Sequence, residues 1–301
     1  MYSISLFVLL LHWMMVISAL PVNRIRKGKY FDRVVIIVFE NQGYMIASND
    51  NYLSNLTSQY EGFSLTNYLA ITHPSQPNYI ALISGSTNGT VDDNEANIDR
   101  KTIVDLLEPK GISWKAYQED YLGKCLSLMS IVLTIVRIGG CDKQMKMGLY
   151  VRKHNPFISF KNIQTNKSRC EKIVNSNQLD KDIKDDNVPQ FVFYTPNMKN
   201  DAHDTDMTFG SNWLKNFFKS RIHQKAFNKN TLFVITFDED DGSTTDNKVF
   251  TILFGPDFHP STNKKYNDKQ YDHYSLLATI EDNWNLGDLG QQDMHAKKIE
   301  I

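Results

Sequence analysis

The chain has 301 residues, 41% hydrophobic and 12% aromatic, enough apolar material for one sizeable core. Its 33 Lys+Arg stand against 34 Asp+Glu, a net charge of -1. That balance excludes a basic nucleic-acid face and an acidic solvating tail, so no partner of strong opposite charge is implied.

In chain order, Leu6 to Leu20 form an apolar run that ends in Ser18 and Ala19 before Pro21. The run is too short to span a bilayer comfortably. It predicts a secretory signal over 1–19 and a single catalytic domain over 20–301. No Lys or Arg precedes it, so an N-terminal anchor or buried strand is the competing interpretation. Export agrees with three sequons, at Asn55, Asn88 and Asn166, which predict N-glycans there. The expected location is extracellular or cell wall, with no stable membrane insertion.

Val34 to Phe39 is a continuous β-branched run ending in the polar turn Glu40-Asn41-Gln42-Gly43. Phe191 to Tyr194 and Leu232 to Phe237 have the same character, and run into Thr195-Pro196-Asn197 and Asp238-Glu239-Asp240-Asp241-Gly242. Strands apolar on both faces belong inside a parallel sheet. Helical spacing over 103–107 and 213–218 lies between them. Alternating strands and helices predict an α/β fold, which binds ligands beyond the carboxyl ends of its strands. The acids sit at those ends. The segment 126–148 departs from this pattern: Leu126 to Ile138 is strongly apolar and is followed by Gly139-Gly140-Cys141. Cys125, Cys141 and Cys170 permit one intramolecular disulfide and leave one thiol.

Two prolines bracket Ser75 in Thr72-His73-Pro74-Ser75-Gln76-Pro77-Asn78-Tyr79, and the apolar run after Asn78 reads as a helix. The hydroxyl therefore stands at a helix N-terminus, where amides and dipole favour a phosphate or an alkoxide. Alone, it reads more readily as an N-cap. Glu40-Asn41 and Asp238-Glu239 could converge on a hard cation, or be solvated loop charges. Asn197 to Thr205, with Asp201, His203 and Asp204, could bind metal, orient a phosphate oxygen or protonate a leaving alkoxide, or cap the helix after it. His273 opens a helix carrying Trp284.

These motifs together resemble the phosphoesterase family of fungal secreted and bacterial acid phosphatases, related to bacterial phospholipases C and, more widely, to the alkaline-phosphatase superfamily. The resemblance runs through Glu40-Asn41, His73-Pro-Ser75-Gln-Pro-Asn78, Tyr150-Val-Arg-Lys-His154-Asn-Pro-Phe, Thr195-Pro-Asn197 to Thr205, Asp238-Glu239 and His273-Tyr-Ser-Leu-Leu. It implies a three-layer sandwich with a mostly parallel central sheet, alkaline-phosphatase-like. It implies an acid phosphatase acting on a small phosphorylated substrate through a phosphoserine. One divalent metal ion would be held by Glu40, Asn41, Ser75, Asp238 and Glu239, with Ser75 as nucleophile. His203 and His273 would serve as proton donors, and Asn78, His154 and Asp204 as substrate contacts. A Cys125–Cys170 disulfide is expected, with 126–148 an atypical insertion or translated intronic sequence. The competing functions are a phospholipase C-like phosphodiesterase and a secreted binding protein that has lost turnover.

Overall fold

The structure, a computed structural model, describes residues 25–123, 141–260 and 264–301. The expected signal segment, Cys125 and most of the expected insertion lie outside those residues.

Seven longer strands build the sheet: β1 (Arg33–Phe39), β2 (Phe63–Leu69), β3 (Trp114–Gln118), β4 (Ile173–Asn175), β5 (Phe191–Thr195), β6 (Thr231–Phe237) and β7 (Lys248–Phe254). Their order across the sheet is β2-β7-β6-β1-β5-β3-β4, and the short strands Tyr266–Asn267 and Tyr271–Asp272 both pair with β2. Only β7 is antiparallel to its neighbours. The three runs expected as interior strands are the three central ones, β5-β1-β6, and every residue in them is buried.

Helices cover both faces, which makes the three layers. Four matter for the site: α1 (Asn51–Gln59), α2 (Ser75–Ser84), α3 (Met207–Lys219) and α4 (His273–Trp284). Successive residues of a strand point to opposite faces, and β5 shows where each helix lies. Phe193 meets Tyr79 of α2, with ring centroids 6.4 Å apart, whereas Tyr194 meets Phe217 of α3 at 4.9 Å. All ten residues of α2 are buried, so it is an interior helix rather than an amphipathic surface one. It stops at Gly85, whose φ of 68° is left-handed, and a side chain there would collide with Asp293. Asn283 of α4 accepts from Tyr30 and Phe31 N–H at 2.8 and 3.1 Å and donates to Phe31 O at 2.9 Å. It thereby ties the chain entering β1 to the far helix.

The expected Cys125–Cys170 bridge is corrected: Cys170 is bonded to Cys141, with Cα atoms 5.0 Å apart. The reason is local. Tyr121 Oη donates to Asp142 O at 3.3 Å, and Cys141 N–H donates to Gln164 O at 3.4 Å. These bonds set Cys141 against the helical turns that end in Cys170. Lys146–Met147 then forms a small hairpin with Tyr150–Val151 and buries Met147. Residues 141–148, the end of the expected insertion, are therefore part of the folded unit. Among the sequons, Asn55 and Asn166 are exposed. Asn88 instead turns its amide nitrogen inward, donating to Ser84 Oγ at 2.8 Å and Ser86 O at 3.1 Å. Among the described residues no helix is long and apolar enough to cross a membrane.

Non-reducing peptide mapping should yield a Cys141–Cys170 cross-linked pair. The bridge closes a sequence separation of 29 residues. By loop-closure entropy, Cys170→Ser should lower the unfolding free energy by roughly 3–4 kcal/mol in chemical denaturation.

Candidate active site

The site follows from strand order. β5, β1 and β6 are adjacent and parallel, so the turns leaving them open side by side. Phe39 and Phe237 are register partners, which sets Glu40 next to Asp238. Asp238 N–H donates to Phe39 O at 3.1 Å, and Glu40 N–H donates to Asp201 O at 2.9 Å. Three strand ends are thus stitched together by backbone bonds, each bearing a buried acid: Glu40, Asp201 and Asp238 are all fully buried. Two non-glycine residues turn left-handed there, Asn41 at φ 44° and Ala202 at φ 77°. Ala202, buried between Asp201 and His203, has no polar side chain to ease that conformation, which costs roughly 1–2 kcal/mol.

The opposite wall is the start of α2. Ser75 Oγ lies 3.2 Å from Glu40 Oε2 and 3.0 Å from Glu239 Oε1, within bonding distance of both. One turn on, Tyr79 donates its hydroxyl to Glu40 Oε1 and stacks its ring on His154, centroids 5.1 Å apart. His154 Nε2 lies 3.3 Å from Glu40 Oε1, and its Nδ1 lies 3.5 Å from Asp201 Oδ2. Glu40, His154 and Asp201 can each aim one ligand atom into a group spanning no more than 4.8 Å. His73, at the rim, bonds Glu239 Oε2 through Nδ1.

Burial, followed by repulsion from Asp201, pushes the Glu40 carboxyl well above its ordinary range. Asp238 is raised by burial and then by Glu40 and Glu239. Burial raises Asp201 to about 8 and pushes Glu239 up as well. Burial also drives His154 far below its ordinary value, so its imidazole is neutral and can serve as a ligand. Both oxygens of Asp238, Oδ1 of Asn41, Oδ2 of Asp201 and Nε2 of His154 are buried without a hydrogen-bond partner. Buried acceptors clustered without donors are costly unless a cation satisfies them. This oxygen-rich set with one imidazole therefore fits a divalent metal ion.

Most of the expected site residues converge. Ser75 bonds Glu40 and Glu239, Asp238 and Asn41 adjoin Glu40 through the backbone, and His154 joins the acids directly rather than standing off as a substrate contact. His203 is half-buried, its ring centroid 6.0 Å from that of His154, and its Nδ1 is bonded to exposed Asp204 at 2.9 Å. Two expected residues do not face the cavity with free groups. Asn78 accepts from Ile71 and Thr72 N–H at 2.9 and 3.0 Å and donates to Thr72 O at 2.7 Å, so it staples the turn before α2. His273 has both ring nitrogens committed, to Tyr68 Oη at 3.2 Å and Asp238 O at 2.7 Å, and burial lowers it to about 4. It holds the Asp238 backbone and has no nitrogen left to deliver a proton.

The sequence alone assigns no role to Tyr79 or His73. Asp201 lay within a recognised motif, but nothing there separates it from Asp204 until β5 is seen to end beside β1. Asn197, at the start of that motif, bonds Asp120 at 2.8 Å and caps its own turn. The anionic oxygen comes from Asp201.

A mostly parallel sheet between two helical layers is also the fold of proteins in the alkaline-phosphatase superfamily. A protein of that superfamily from Vibrio parahaemolyticus superposes with a TM-score of 0.56 at 12% identity, over 89% of this chain and 70% of its own. The lipoteichoic acid synthase LtaP from Listeria monocytogenes superposes at 0.53 and 10% identity, over 88% and 76%. The sequence profile of the Phosphoesterase family matches residues 40–287, and the chain belongs to that family. A probable acid phosphatase from Kluyveromyces lactis is 39% identical over 91% of this chain, and an acid phosphatase from Aspergillus fumigatus 36% identical over 93%. The chain spans 63% and 61% of their respective lengths. A phosphatidylinositol-3-phosphatase from Mycobacterium tuberculosis is 30% identical, over 86% of this chain and 79% of its own.

A raised carboxyl pKa makes stability greatest in acid and loses it as pH rises through the folded value. Chelator-treated protein should therefore lose melting temperature between about pH 4 and pH 8, where Asp201 titrates. Divalent cation at a hundredfold excess over Kd should restore about 2.7 kcal/mol at neutral pH, several degrees in a thermal melt. Asp201→Asn should flatten the pH slope of the chelated protein.

Proposed function

We propose that the chain is a secreted, metal-dependent phosphomonoesterase of the acid-phosphatase type, working through a phosphoserine on Ser75. The observation that carries this reading is the Ser75 hydroxyl at the start of a buried helix, bonded to Glu40 and Glu239 beside the orphaned Asp238 carboxylate. The relatives named acid phosphatase support it. Expected partners are a small phosphorylated substrate and N-glycans at exposed Asn55 and Asn166.

One divalent cation would be held by Glu40, Asp238, His154 and Asp201, with Asn41 and Ser75 in reach. When bound, it would lower the Ser75 pKa and neutralise phosphoryl charge. The chain's own groups do the rest. Glu239, 3.0 Å from Oγ, takes the Ser75 proton, leaving a lone pair on Oγ to attack phosphorus. The bond from phosphorus to the leaving oxygen breaks as the phosphoseryl bond forms. His203, fixed by Asp204 through Nδ1, presents Nε2 to protonate the leaving oxygen. Water then attacks phosphorus and gives a proton to the neutral His203, the bond from phosphorus to Ser75 Oγ breaks, and Glu239 returns its proton to Oγ. His273 serves by fixing the Asp238 backbone.

With p-nitrophenyl phosphate, Ser75→Ala should lower kcat by roughly a thousandfold or more with the fold intact by circular dichroism. Full activity in that variant would refute the nucleophile, and preference for bis-p-nitrophenyl phosphate would overturn the monoesterase assignment. His203→Ala should cost about a hundredfold on an alkyl phosphate and less on the p-nitrophenyl ester, whose leaving group needs little protonation.

A further inference from the structure

Helix α2 begins with few free donors. Ser75 and Gln76 supply its first two amides, and Pro77, next in line, has none. The Gln76 N–H is taken by a carboxylate: Asp93 Oδ1 accepts it at 3.0 Å. The other oxygen, Asp93 Oδ2, accepts from Lys153 Nζ at 2.9 Å. One carboxylate thus bridges the amide next to the nucleophile and an ammonium that is mostly buried, with 18% of its side chain exposed. The loop delivering Asp93 is clamped to the same residue, since Gln76 Nε2 donates to Asp92 O at 2.9 Å and Asn94 O at 2.6 Å. Lys153 immediately precedes His154, which contacts Glu40, and its ammonium interacts electrostatically with Glu40 and Asp238 as well as with Asp93.

A helix-start amide and an ammonium are the donors that bind phosphoryl oxygens. A phosphorus attached to Ser75 Oγ brings its non-bridging oxygens next to the amide of the following residue. A carboxylate offers two acceptor oxygens and one negative charge, an imperfect copy of that group. We propose that the Gln76 N–H and Lys153 Nζ form the phosphoryl-oxygen subsite, and that Asp93 occupies it in the substrate-free protein and is displaced by the incoming phosphoryl group. The inference rests on the phosphomonoesterase reading and adds to it an internal competitor that weakens the hold on product phosphate.

Binding of inorganic phosphate by calorimetry, at fixed divalent cation, tests this without turnover. Lys153→Met should weaken phosphate at least about tenfold, the worth of a charge-assisted hydrogen bond, and Lys153→Arg should recover most of it. Asp93→Asn should tighten phosphate several-fold, because the competitor loses its charge. Thermal melts of all three should stay close to wild type. Unchanged affinity in Lys153→Met, or no phosphate binding by wild type, overturns the subsite. Weakened binding in Asp93→Asn shows Asp93 merely positioning Lys153 and overturns the displacement. If phosphate binding follows the expected order while p-nitrophenyl phosphate is not hydrolysed, the phosphatase reading falls and the subsite stands. If hydrolysis proceeds and phosphate ignores both substitutions, the subsite alone falls.

Discussion

The adjacency of β5, β1 and β6 is the constraint on which the site depends. Three parallel strands in register end at one level, and every residue in them is buried. Glu40 and Asp238 follow their strands directly and Asp201 closes the turn after β5, so an acid from each emerges at the same edge. Glu40, Asp201 and Asp238 are buried because their strands are central, not because their own chemistry favours burial. Isolated, each would shift its pKa and take up a proton. Held together, they favour either shared protons or a cation, and the same geometry that destabilises the empty group makes it selective for positive charge.

Much of this was legible in the sequence. The three interior strands announce themselves as runs of apolar residues, β-branched above all in β1, and a helix-start Ser between prolines is a local signal that needs no tertiary knowledge. The strands outside the central three were harder. β2 reads Phe63-Ser-Leu-Thr-Asn-Tyr-Leu69 and β3 is the five-residue Trp114–Gln118. Both mix polar and apolar residues because only part of each strand faces the core. Neither has the continuous signal of β1. At the site, sequence spacing identified which turns carry acids but not which acid of a turn points inward. Asp201 and Asp204 sit three residues apart in one motif, and the left-handed turn at Ala202 separates their fates. His273 shows the opposite limit. A histidine opening a helix looks available, yet Tyr68 and the Asp238 carbonyl, neither near it in sequence, use both its nitrogens.

The disulfide narrows the question of the extra chain. Cys141, nine residues before Tyr150, is the cysteine bonded to Cys170. The hairpin from Lys146 and the Tyr121–Asp142 bond tie the chain after Cys141 to the folded unit. Residues 141–148 are therefore not separable from the domain that carries the site.

The wall opposite the acids solves a different problem. A nucleophile placed beside several carboxylates faces repulsion of any anionic substrate, and a bound cation offsets that only on its own side. The far side of the phosphoryl group needs donors as well. On that side, the start of α2 and the turn through Lys153-His154 are the elements that offer them, and both are already engaged by Asp93. A free ammonium there would be drawn onto the carboxylates of Glu40 and Asp238, filling the space a metal ion needs. The ion pair with Asp93 keeps it off them. Through Asp93 the loop 92–95 thus engages both donors of that wall, the Gln76 N–H at 3.0 Å and Lys153 Nζ at 2.9 Å.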